Sequence, residues 1–372
     1  MRRDKRRRWV LVGMVTALLL AVPALVAALA PGGGSADPAR LRDLIARSAS
    51  QPYQGYAEST GSLGLPDLPK LGDVTSLFNG TTRMRAWYTA PDRSRVDVLT
   101  VGSERDVYRL PDAEYTWDYA ANQLTELIGD PPVRLPQAGD LLPPDLARRI
   151  LADAPGDPVT ALPGRRIAGI AAAGVRLTPR DPDTTVGTVD IWADPATGLP
   201  LRVELSARGQ TSPVLTTAFE EVDLTTPTIP AEAPNPVPGS GFVVTSAPDV
   251  AKALGALGQA TLPAQLAGRD LRTTELGGIR GVGLYGTGLS SFVVAAVPGD
   301  VGAQAADAAT KAGAASIKLA RGTAVAKSIP PLSLLVVRPM FSRRAYVLAG
   351  LVDPSVLQAA AGALTTLPRR GR

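Results

Sequence analysis

Residues 83–128 read RMRAWYTAPDRSRVDVLTVGSERDVYRLPDAEYTWDYAANQLTELI, and this stretch decides the fold class. It predicts strands at 83–89, 94–101, 105–110, 114–119 and 123–128, separated by Pro91-Asp92, Gly102-Ser103, Pro111-Asp112 and Ala121-Asn122. Separators this short leave no room for a helical crossover, so each strand must turn back antiparallel on the one before it. In 114–119 Tyr115, Trp117 and Tyr119 fall on one face, and Glu114, Thr116 and Asp118 on the other.

Working outward, the same texture predicts strands at 165–177, 186–193, 200–207 and 214–222, with Pro195-Ala196-Thr197-Gly198 as a turn. In the third of these, Leu201, Val203 and Leu205 oppose Arg202 and Glu204. Two short helices accompany the strands. One starts at Asp37 and Pro38, carries Leu41, Leu44, Ile45 and Ser48 at helical spacing, and stops before Pro52. The other starts at Pro143-Pro144-Asp145 and runs to about Ala154. The expectation is an α+β fold: an antiparallel sheet that curls under two short helices, its concave side either filled by Trp87, Trp117 and Trp192 as ordinary core or left as an apolar cavity. The lipid-cavity candidates are Trp87, Val96, Val98, Tyr115, Trp117, Tyr119, Ile191, Leu201, Val203 and Leu205.

Composition narrows the chemistry. The 372 residues include no His and no Cys. That removes Ser-His-Asp and Cys-His catalysis, His or thiolate metal sites, and disulfides. The net charge of +5 sits in residues 1–8, where six basic residues face Asp4. Residues 9–30 follow without a charge, long enough to cross a bilayer, so the basic run reads as a positive-inside flank and not as a nucleic-acid site. The segment is either a retained single-pass anchor with its N-terminus inside, or a signal peptide cleaved after Ala28-Leu29-Ala30; in both cases the body is extracytoplasmic, in the cell envelope.

Residues 9–240 hold 19 basic and 27 acidic residues, a balance of −8, and residues 241–372 hold 14 and 6, a balance of +8. Five prolines between Pro227 and Pro238 mark a stiff linker. The expected organisation is therefore a flank, membrane segment and short linker over 1–36, the half-barrel over 37–226, a Pro-rich linker over 227–240, and a small α+β module over 241–372. In the last part strands are expected at 242–245, 279–286, 289–297, 315–320, 323–328, 332–338 and 344–352, with helices at 248–258, 299–313 and 354–366. Its basic positions Arg343 and Arg344 are the candidates for contact with a partner or a headgroup.

Several motifs are weighed and set aside. Gly281, Gly283 and Gly286 spell G-x-G-x-x-G, but a strand follows where a nucleotide site needs a helix, so they read as hairpin glycines. Asn79-Gly80-Thr81 reads as a tight turn between strands. Glu220, Glu221, Asp223, Asp181 and Asp183 sit at strand ends or beside prolines, as solvated carboxylates do, and not as a catalytic pair. No enzyme, metal or cofactor is expected.

One resemblance covers residues 38–225. Pro52-Tyr53-Gln54-Gly55-Tyr56, Gly61-Ser62-Leu63-Gly64-Leu65-Pro66-Asp67-Leu68-Pro69, Arg83-Met84-Arg85-Ala86-Trp87-Tyr88 and Val189-Asp190-Ile191-Trp192-Ala193-Asp194 occur in the order seen in the LolA-like half-barrel superfamily. The MucB/RseB regulatory branch is the most similar, and 283–294 and 346–352 resemble that branch's small C-terminal domain. The resemblance implies an apolar cavity for an acyl chain, with no catalytic residues. It also implies one of two roles: a sensor that engages an envelope protein, an anti-sigma factor in that branch, or a carrier of lipid or lipoprotein without signalling. Against the family pattern, Ile170-Ala171-Ala172-Ala173-Gly174 is expected to thin the wall and either enlarge or deform the cavity.

Overall fold

The computed structural model describes residues 36–65, 72–129, 134–227, 232, 234, 238–246, 260–272 and 280–366. The expected membrane segment at 9–30, most of the Pro-rich linker and the helix expected at 248–258 lie outside these residues.

Helix α1 (Pro38–Arg47) begins as its sequence directs. The Asp37 carboxylate accepts the Ala39 N–H at 3.2 Å, Pro38 fills the first helical position, and Leu41 and Ile45 bury one face. Strand β1 (Tyr53–Gly61) and helix α2 (Gly72–Asn79) lead into a five-strand meander: β2 (Thr81–Ala90), β3 (Arg93–Thr100), β4 (Ser103–Arg109), β5 (Glu114–Asp118) and β6 (Gln123–Ile128). Helix α3 (Pro143–Asp153) then precedes a second meander of β7 (Val159–Ile167), β8 (Ile170–Leu177), β9 (Val186–Ala193), β10 (Pro200–Ala207) and β11 (Leu215–Asp223). β11 pairs with β1, so the two meanders form one sheet in the order β6-β5-β4-β3-β2-β1-β11-β10-β9-β8-β7, all antiparallel. The sheet stays open. No closed barrel forms among the described residues, because the last strands do not pair with each other.

This topology explains the helix inside the run of strands. β6 and β7 are successive in the chain but lie at opposite sides of the sheet, so the connection must cross a face, and it carries α3 across. There Ala147, Ile150 and Leu151 pack with Leu41 and Ile45 onto Ala173, Val175, Val189, Ile191 and Val203.

Four expectations are corrected. The span 165–177 is a hairpin, because Ala168 (φ +46°) and Gly169 (φ +81°) form a two-residue turn between β7 and β8. Asn79-Gly80 joins a helix to a strand: the Asn79 side chain accepts from Leu65 N at 2.8 Å and donates to Leu65 O at 2.7 Å. Residues 242–245 belong to the first sheet, since β12 (Gly241–Ser246) runs parallel to β6. The small residues of β8 also do not thin the wall: Trp192 fills the space above Gly174, where a Cβ would lie 2.7 Å from the indole Nε1, and donates to Pro163 O at 3.0 Å.

The remaining chain forms a second antiparallel sheet from β13 (Gln265–Leu266), β14 (Arg269–Arg272), β15 (Val282–Tyr285), β16 (Phe292–Pro298), β17 (Ala315–Leu319), β18 (Gly322–Ile329), β19 (Leu332–Pro339) and β20 (Arg344–Gly350). Its order is β13-β14-β15-β16-β20-β19-β18-β17. Helix α5 (Pro354–Thr365) buries Val356, Leu357, Ala360, Ala361 and Leu364 against Phe292, Val294, Leu335, Val337 and Leu348. Helix α4 (Gly299–Lys311) covers the other face, where Gly302 packs against Ala345 so closely that any Cβ would collide. Gly283 lies within strand β15, as a hairpin glycine should.

The sheets meet at the β8–β9 loop. The buried Thr184 hydroxyl shares its one proton between Leu289 O and Leu351 O, the latter at 2.9 Å, Thr185 Oγ1 donates to Pro331 O, and Asp353 N donates to Asp183 O at 2.7 Å. Arg269 forms ion pairs with Asp181 at 3.1 Å and Asp183 at 3.3 Å.

Candidate functional site

Cross-strand partners share a sheet face, so the register sorts the aromatic residues. Ala86, Val96, Val107 and Thr116 form one row from β2 to β5; Trp87, Arg95, Tyr108 and Tyr115 form the adjacent row, on the opposite face. The first row faces the β6–β7 connection. Beneath that connection lies a cavity of about 310 Å³, bordered by Ala86, Tyr88, Val96, Val98, Val107 and Leu142 together with Arg109, Arg134, Arg148 and Arg149. That volume is at the lower end of the ~300–1,000 Å³ typical of small-molecule sites.

The site residues read from sequence therefore separate. Val96 and Val98 line the cavity. Trp87 borders it too, but its ring belongs to the opposite face, 5.0 Å from the Arg95 guanidinium. Tyr115, Trp117 and Tyr119 are also on that opposite face: Trp117 packs with Tyr108 and Leu124, and Tyr119 stands edge-on to Trp117 at 5.7 Å. Alternation shows that the three share a face, but not which face the connection covers. Ile191 and Val203 do face inward, yet α1 and α3 pack directly on them. Leu201 belongs to the cluster of Tyr53, Met84 and Phe219, and half-buried Leu205 lies beside it.

Sequence reading missed the polar half of the cavity, because its residues lie on the 129–158 connection rather than on a patterned strand. Asp140 accepts from Arg134 at 2.6 Å, Arg149 at 3.2 Å and Gln137 N at 2.8 Å. Burial disfavours its charge, but these hydrogen bonds outweigh burial and hold its pKa below the ordinary carboxylate range. Asp145, paired with Arg148 at 2.8 Å, goes the other way: burial pushes it up. Arg148 also lies 5.8 Å over the Tyr88 ring, and Tyr88 stacks on Tyr53 at 5.0 Å. Tyr53 borders the cavity; its hydroxyl is buried with no hydrogen-bond partner among the described residues, and burial raises its pKa.

Behind the cavity wall the opposite face carries a second cluster. Arg95 pairs with Asp97 at 2.6 Å and Asp106 at 2.9 Å, and lies 4.9 Å over the Tyr108 ring. Carboxylate oxygens of Asp97, Glu104 and Asp106 come within 4.8 Å of one another, a donor set able to hold a cation, but Arg95 already supplies positive charge there. Burial, and then the neighbouring Asp97 charge, raise the Asp106 pKa to about 7.

No family model and no curated protein matches the chain. Among solved structures, the Pseudomonas aeruginosa MucA/MucB complex matches at 18% identity over 88% of this chain and 97% of that chain, with a TM-score of 0.46. MucB bound to MucA(peri) matches at 17% identity over the same shares, also at 0.46. A LolA superfamily protein from Nitrosomonas europaea matches at 12% identity over 51% of this chain and 94% of that chain, at 0.21. The chain is thus similar to MucB and to LolA-superfamily proteins, the two groups its motifs resemble.

Proposed function

We propose that the chain is a non-enzymatic envelope protein, with the first sheet as a half-barrel domain and the second as a partner domain, that binds a single amphiphile and reports its presence to another protein. The observation that carries the ligand reading is the division of the cavity. Val96, Val98, Val107, Ala86 and Leu142 offer a surface for an acyl chain, while Arg109, Arg134, Arg148 and Arg149 against Asp140 and Asp145 give the lining a local balance of +2 in an otherwise acidic part of the chain. An anionic headgroup on a short apolar tail fits both. Each CH₂ moved from water onto the valines adds about 0.8 kcal/mol.

The partner reading rests on the motif resemblance and the two-sheet layout. It makes the partner a protein of the kind MucA is to MucB, an anti-sigma factor. The alternative, a carrier without signalling, suits a half-barrel working alone; here a second sheet is sealed to the first through Thr184. The chain should yield an anionic lipid on organic extraction and show a one-to-one complex in native mass spectrometry. Filling the cavity with Val96→Trp and Val98→Trp should lower uptake of a fluorescent fatty acid at least tenfold. A ligand-free protein that also takes up no probe overturns the reading.

A further inference from the structure

The turn between β19 and β20 combines two features that folding alone does not favour. Phe341 has φ +58°, a left-handed conformation that is a steric outlier for a bulky side chain. It is also 85% exposed, and Met340 beside it is 57% exposed. Two large apolar side chains are thus mostly exposed at the end of β19 remote from the first sheet. Pro331, at the other end of β19, touches the first sheet; the eight residues of the strand extend about 25 Å from there.

The surroundings of this tip have one sign of charge. Residues 308–352 contain seven Lys and Arg and no Asp or Glu. Arg338, Arg343 and Arg344 flank the turn, and the neighbouring β17–β18 turn brings Arg321 alongside, where Met340 N donates to Arg321 O at 2.8 Å. Lys318 lies in the same cross-strand row as Arg338. All five are exposed, and none of their side chains forms an ion pair with a described residue. The nearest acid in the elements that meet here is Asp300, in the first turn of α4, whose Gly299 N donates to Arg343 O at 2.8 Å.

We infer that the Met340-Phe341 turn is a docking point for an anionic lipid surface, the two apolar side chains entering the headgroup region while Lys318, Arg321, Arg338, Arg343 and Arg344 face lipid phosphates. Size and shape select this occupant over an acidic protein. A convex tip of two side chains covers far less than the ~1,000 Å² that a stable protein interface buries. It suits insertion to a depth of ~5–10 Å at a bilayer surface. Each basic side chain near such a surface is worth roughly a fivefold change in affinity. The inference needs no ligand in the cavity and stands apart from that reading.

The absence of Cys makes a site-specific test direct. Phe341→Cys in the full chain would be labelled with an environment-sensitive fluorophore and mixed with vesicles of phosphatidylglycerol and phosphatidylcholine, or of phosphatidylcholine alone. Glu220→Cys, exposed on the first sheet, serves as control. Residues 9–30 can insert on their own account, so the readout is emission at the label and not vesicle binding as a whole. At position 341 emission should rise about threefold and shift to the blue on the anionic vesicles only. With Arg343→Glu and Arg344→Glu added, the increment over baseline should shrink at least fivefold, and position 220 should not respond. Equal response to both vesicle types, no response at 341, or a response only to an acidic protein would each overturn the inference. In the unlabelled chain, Phe341→Gly should keep the fold, since glycine accepts this φ, which separates loss of docking from misfolding.

Discussion

The two halves of the first sheet's inner face follow the same alternation and end differently. On β8, β9 and β10 the inward residues Val175, Ile191 and Val203 meet α1 and α3 and are fully buried. On β3 and β4 the inward residues Val96, Val98 and Val107 meet a cavity. The strands are not what differs. The connection from β6 to β7 lays the apolar face of its helix over one half, and turns Arg148 and Arg149 of that helix, with Arg134 of the stretch before it, towards the other. A ligand site can thus be placed by a crossing loop without any change in the strands beneath it.

Breaking the filled half should cost most. Ile191→Ala leaves a void that α1 and α3 cannot close, and should lower unfolding free energy by about 3–4 kcal/mol in urea denaturation.

Behind the cavity half, Asp106 sharpens the contrast through pH. Its folded pKa near 7 lies above the ~3.9 of an unfolded aspartate, so the folded state takes up a proton between these values. Stability therefore falls as pH rises through that window, and Asp97, raised in the same direction by burial, adds to the trend. Asp106→Asn should flatten this slope, raising stability above pH 7 by on the order of 2 kcal/mol and changing little below pH 4, as thermal melts across the range would show.

The smallest effect belongs in the cavity itself. Val98→Ala removes methyl groups that already face space, so it should cost less than about 1 kcal/mol while enlarging the ligand site. A loss equal to that of Ile191→Ala would mean that the two halves are packed alike.

Much of this was legible in the sequence. The separators after Ala90, Thr100 and Leu110 are too short for anything but hairpins, and both helix starts carry Asp or Pro where helix geometry requires them. Two things were not legible. Alternation assigns Tyr115, Trp117 and Tyr119 to one face but contains no information about which face is covered, because that depends on where a connection 30 residues long travels. The cavity's arginines were hidden for the same reason: Arg134 is brought to Arg149 by Asp140, which pairs with both.

The pairing of β1 with β11 has a consequence in time. Gln54 lies opposite Asp223, 169 residues later, and that contact is what makes one sheet of two meanders. Each meander zips from its own hairpins, but their union must wait until the last of these strands emerges. Closing so long a loop is slow. Until then both β1 and the unfinished second meander expose bare edges, so a chain leaving a membrane or a ribosome one end first is most vulnerable to aggregation just before residue 223 arrives.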